Sequence, residues 1–113
     1  MADIINFTPD ALTVSAEGPA SLEQTLEVTG YTDVDLVLVV LDITSAASVT
    51  VSMETSMQQG IGWVSLGAFT AVTTSNGAEK KRFTGVLRYL RWNVTSLTES
   101  AKVTFLLEGM IRL

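Results

Sequence analysis

The residues of this sequence that could do chemistry are carboxylates, aromatics and arginines, because the chain has no cysteine and no histidine. Without cysteine there is no disulfide, thiolate nucleophile or thiolate metal site. Without histidine, the usual base of a nucleophile triad, the usual neutral-pH proton shuttle and the commonest zinc ligand are missing. Among the carboxylates, Asp33 and Asp35 stand two apart at a strand entrance and, with Asp42 or Asp10, could offer oxygen ligands to calcium. No EF-hand spacing accompanies them, and aspartates beside turns ordinarily serve as solvated turn formers. No carboxylate pair is marked out as a glycosidase pair, and 113 residues leave little room for a substrate cleft. The expectation is a protein that is not an enzyme and carries no cofactor or metal.

The aromatic residues Trp63, Tyr89, Trp92 and Tyr31 could form a sugar-stacking platform. Trp92 shares its parity with Leu90 and Val94, which assigns it to the core. Trp63 follows the glycine-rich stretch Gln58 to Gly62, and with Tyr89 it is the candidate stacking pair of a carbohydrate-binding module. Tyr89 and Arg91 share the other face of the same strand, a combination suited to an interface hot spot. Lys80-Lys81-Arg82-Phe83 and Arg88-Tyr89-Leu90-Arg91-Trp92 look like a nucleic-acid patch. The net charge of −5 opposes that, as it opposes an anionic membrane surface. Neither partner is expected. Asn93-Val94-Thr95 matches a glycosylation sequon but falls inside a strand pattern, and Gly60, Gly62 and Gly67 precede no helix, so no phosphate loop is read there.

Charge is unevenly spread. Residues 1–79 hold ten acidic and no basic side chains, and residues 80–113 hold seven basic and two acidic ones. Late strands of a sandwich often pair with early ones, so this division implies balance within the fold, or else a bipolar surface that docks copies or a charged partner. Only 17% of residues are charged against 47% apolar, a lightly charged surface of the kind that other subunits often cover.

The elements that must position these residues are strands. Val34 to Ile43 contains an unbroken aliphatic run, Leu36 to Leu41, and a run apolar at odd and even positions alike reads as a central strand covered on both faces. Alternation is cleanest at Val49, Val51, Met53 and Met57 against Thr50, Ser52, Glu54 and Ser56. Further strands are expected over Ala11–Ala16, Leu22–Val28, Trp63–Leu66, Ala68–Thr73, Val86–Thr95 and from Lys102 toward Leu113, and Ser75-Asn76-Gly77 reads as a hairpin turn. Turn signals about every ten residues, with no helical period, point to one all-β domain over residues 1–113. The expected fold is an antiparallel two-sheet sandwich, jelly-roll-like, with about eight strands. Residues 1–8 form an arm or a first edge strand. No basic-then-apolar leader is visible in the opening residues, and no segment is long enough to span a bilayer, so a protein made in the cytoplasm, and soluble or assembled there, is expected.

From Met53 onward the succession E-T-S-M-Q-Q-G-I-G-W-V-S-L-G-A-F-T, E-K-K-R-F-T-G, L-R-Y-L-R-W-N-V-T and K-V-T-F-L-L-E-G resembles small β-sandwich virion proteins of tailed bacteriophages and related gene-transfer particles. The resemblance covers roughly the last 60 residues and implies a head-decoration, head-tail or tail component located in the virion. The residues admit a physical account beside the resemblance: Trp63 and Trp92 would fill the space between the sheets, and Arg88 and Arg91 would pair with acidic residues of a neighbouring strand or subunit. Apolar termini add a physical argument, because such ends are ordinarily buried. The candidate interface residues are Ile4, Ile5, Phe7, Arg88, Tyr89, Arg91, Ile111 and Leu113. The expected partners are further copies in a homo-oligomer and the capsid or tail proteins of the same particle, with a carbohydrate-binding module as the alternative.

Overall fold

Alternating apolar residues need a second layer to bury them, and in this chain the second layer is another sheet. The computed structural model describes residues 2–7, 11–20, 25–28, 33–73 and 77–112, by backbone alone at 2–5 and 112. Ten strands occur among them: β1 (Ala2–Asn6), β2 (Leu12–Val14), β3 (Gly18–Pro19), β4 (Leu26–Glu27), β5 (Asp33–Ile43), β6 (Val49–Ser56), β7 (Val64–Ala68), β8 (Gly77–Thr84), β9 (Tyr89–Leu97) and β10 (Val103–Arg112). All the pairings are antiparallel.

One sheet runs β1-β10-β5-β8, with β2 also on β10; the other runs β3-β9-β6-β7, with β4 also on β9. β5 occupies one edge of β10 along its length, so β1 and β2 share the other edge. By the same reasoning β3 and β4 share one edge of β9. Each sheet is therefore four positions wide, and from one position to the next the chain changes sheet at every step except β6 to β7. This is the eight-position jelly roll expected from the sequence, with two positions filled by paired short strands. The N-terminal stretch takes the edge-strand form over Ala2–Asn6.

The core lies between the sheets. Val34, Leu36, Leu38 and Val40 of β5 face it, as do Val49, Val51 and Met53 of β6, Leu90, Trp92 and Val94 of β9, and Val103, Phe105 and Leu107 of β10. Trp92 meets Phe105 edge-on at 5.6 Å, and Phe69 meets Phe83 at 5.4 Å. Trp92 Nε1 is buried without a protein acceptor, so Trp92→Phe removes both an unpaired donor and part of a ring. The two effects oppose each other, and the loss expected is under about 1.5 kcal/mol, against about 3–5 kcal/mol for Trp92→Ala. Urea denaturation of the two variants checks this.

Several expectations are corrected. The two-sided burial of β5 is not met within one chain: Val37 and Val39 are half-buried and Leu41 is 38% exposed, because a two-layer sandwich covers one face of each sheet. The hairpin expected at Ser75-Asn76-Gly77 is a crossing between sheets, since β7 pairs β6 whereas β8 pairs β5. Residues 74–76 themselves lie outside the described residues, as do Tyr31 and residues 22–24 of the Leu22–Val28 pattern. Met57 is 59% exposed, because β6 ends at Ser56. There the Ser56 hydroxyl lies 2.7 and 2.6 Å from the carbonyls of Gln58 and Ile61 and accepts from Gln58 N, folding the following loop back on itself.

Candidate functional site

Each sheet turns one face to the core and one outward, so the outer faces carry the surface chemistry. On the β9–β6 sheet, the outward positions of β9 are Tyr89, Arg91 and Asn93, and Glu54 of β6 stands opposite Arg91. Arg91 Nε donates to Glu54 Oε1 at 2.7 Å, and Asn93 Nδ2 donates to Glu54 Oε2 at 3.0 Å. Both carboxylate oxygens are thus engaged. The Arg91 guanidinium lies over the Trp63 ring at 4.2 Å, and Trp63 Nε1 donates to the Gln59 carbonyl. Trp63 is therefore on the outside of the sandwich, not in the space between the sheets where it was expected; the folded-back loop after Ser56 carries it there.

Arg88 stands immediately before β9 and Tyr89 begins it. Thr55, buried on the inner side of β6, fixes this point: its hydroxyl donates to the Tyr89 carbonyl and accepts from Leu87 N, each at 2.8 Å. Arg88 pairs with Glu27 of β4 at 2.8 Å and lies over the Tyr89 ring at 5.2 Å. On the other sheet, Arg82 grips Asp35 through Nε at 2.8 Å and its second nitrogen at 3.2 Å. The hydrogen bonds that Arg82 donates to Asp35 and Arg88 donates to Glu27, the largest cause in each case, hold the two guanidinium groups above the ordinary arginine value. A raised folded value means that these contributions are complete at every pH below the ordinary one and fade only above it, so both cations persist throughout the neutral range.

The three ion pairs found among the described residues each join a late arginine to an early carboxylate, which is the internal balance that the charge division allowed. Asp35 is committed to Arg82, and among the described residues no group of three acidic side chains is placed to hold a metal. Asp10 lies outside those residues.

The candidate interface residues are not brought together. Phe7 and Ile111 are buried in the chain's own core, at 4% and 6% exposure. Arg88, Tyr89 and Arg91 stand on the outer face of the β9–β6 sheet, with Arg91 only 16% exposed in its side chain. Ile4 and Ile5 pair with Met110 and Gly109 in the register of β1 on β10, and Leu113 lies outside the described residues. The stacking candidates Trp63 and Tyr89 share one outer face, each ring with a guanidinium over one side.

A second surface was missed by that reading. The outer face of β5 and β10 presents Val37, Val39 and Leu41 beside Leu106 and Met110, with Leu41 and Met110 38% and 39% exposed. A shallow depression of about 360 Å³ lined by Val37, Glu108, Gly109 and Met110 lies on it. The signal was present in the sequence as the odd positions of the aliphatic run, which asked for a cover that the chain itself does not supply.

No family model matches this chain, and no curated protein matches it. The crystal structure of the SPBc2 prophage-derived protein YomS is similar in fold, with a TM-score of 0.50 and 16% identity over 97% of this chain and 93% of that one. The likeness spans both sheets.

Proposed function

We propose that this chain is a structural protein of a phage-like particle, without catalysis, that works by binding copies of itself and the capsid or tail proteins of that particle. The observation that carries the proposal is the apolar outer face of β5 and β10, since an apolar sheet face left in water by a lone chain is the ordinary mark of an interaction surface. The fold likeness to a prophage-derived protein and the virion-protein resemblance of the later strands support the particle as the setting. Burial of that sheet face supplies the binding energy, and the charged residues around it set the orientation. Assembly takes place in the host cytoplasm and the finished location is the virion.

Particles purified by density-gradient centrifugation from a culture that produces them test this reading. The chain is expected to co-band with the particle, at a fixed ratio to a major capsid or tail protein. A chain found only in the soluble fraction overturns the proposal. The carbohydrate reading keeps one observation in its favour, the shared outer face of Trp63 and Tyr89 beside Arg91, Glu54 and Asn93. Saturable quenching of tryptophan fluorescence by a sugar would favour it.

A further inference from the structure

The outer face of the β10–β5–β8 sheet carries unlike charges on its two flanks. In its middle row, Glu108 of β10, Val37 of β5 and Lys80 of β8 stand in register. Paired residues on neighbouring strands point to the same face, so the row reads acidic, apolar, basic. The row on one side is Leu106, Val39 and Ala78, and the row on the other is Met110, Asp35 and Arg82, in which Arg82 already neutralises Asp35. Glu108 and Lys80 are both exposed, and the three ion pairs found among the described residues use neither.

Such a face is complementary to itself under one symmetry operation. A second copy turned about an axis parallel to β5 lays the acidic flank of each over the basic flank of the other. Glu108 then meets the partner's Lys80, Leu106 meets the small Ala78, and Val37 and Val39 meet their own counterparts. An axis running across the strands instead sets lysine against lysine and glutamate against glutamate, which repulsion opposes. We infer that a second copy of this chain covers the face, in an isologous dimer whose two-fold axis runs along β5.

The size of the face sets the strength. Four strand positions about 4.8 Å apart, each about eight residues long at ~3.3 Å per residue, give roughly 500 Å² per copy. The total of roughly 1,000 Å² stands at the lower limit for a specific interface, so the dimer should be concentration-dependent, not permanent. Naming the partner and the face in this way rests on the reading of the chain as an assembling protein.

Sedimentation equilibrium on the full chain, with circular dichroism as the check on folding, tests the inference. Lys80→Glu and Glu108→Lys are both surface changes and each places like charges in contact twice, once in each half of the two-fold. Each should weaken dimerisation by at least about tenfold, and the double variant should return to within about threefold of the parent. A monomer at all concentrations overturns the inference, as does a dimer indifferent to the single reversals or one that the double variant fails to restore. The particle reading is measured separately in the gradient. A monomeric chain that co-bands with particles sinks this inference alone, and a charge-rescued dimer absent from particles sinks the particle reading alone.

Discussion

Gly109→Ala should destabilise the sandwich by about 3 kcal/mol or more, read as a large fall in the urea midpoint. Gly109 stands opposite Leu36, where β10 and β5 pair at the centre of their sheet. A Cβ added there would overlap the Asp35 carbonyl oxygen and lie 2.9 Å from both the Asp35 carbonyl carbon and the Leu36 Cα. These are backbone atoms held by the ladder, so no rotamer change makes room and the two strands must separate. Gly60→Ala is the control, because nothing lies within 4 Å of its added Cβ and its backbone is not in the left-handed region. It should leave the midpoint unchanged or raise it slightly. A Gly109→Ala variant as stable as the parent would show that β5 and β10 have slack at this point.

The same strand pair shows what a sequence can and cannot carry. Period-two alternation is a local signal, so β6 and β9 and the inward place of Trp92 were legible from a few residues each. The jelly roll was legible as a count of strands and turns. Pairing order was not, because it joins residues far apart in the chain: Asp35 finds Arg82, and Glu54 finds Arg91. Turn chemistry misled at Ser75 to Gly77, since glycine and asparagine suit a crossing between sheets as well as a hairpin. Met57 and Trp63 were misplaced for one cause. The Ser56 hydroxyl ends the strand and folds the loop, and a single serine in an alternating pattern does not announce that role. The apolar termini were read as buried arms or edge strands serving an interface, and burial is what Phe7 and Ile111 show, but in the chain's own core. The aliphatic run in β5 is the opposite case. Its sequence asked for two covers and one chain provides one, and the proposed assembly rests on that excess.

Glu54→Ala is the second large effect, and it separates stability from recognition on the other sheet. Its carboxylate is 15% exposed and takes hydrogen bonds from both Arg91 and Asn93, and Arg91 is 16% exposed beneath Trp63. Removing it leaves a largely buried cation unpaired and the Asn93 amide without its acceptor. Breaking a buried pair costs about 3–5 kcal/mol, and the residual exposure here sets the expectation at about 2–3 kcal/mol, with a change in Trp63 fluorescence as Arg91 shifts. Glu27→Ala removes a pair that is 51% exposed on both sides and should leave the urea midpoint where it is. The contrast bears on function, because an arginine held this firmly contributes to the fold before it contributes to any partner. If Glu54→Ala proves as mild as Glu27→Ala, Arg91 is easily released and the β9–β6 face regains its claim as a docking surface. If it is costly, Arg91→Glu impairs folding ahead of assembly, and the outer face of β5 and β10 remains the surface on which association should be sought.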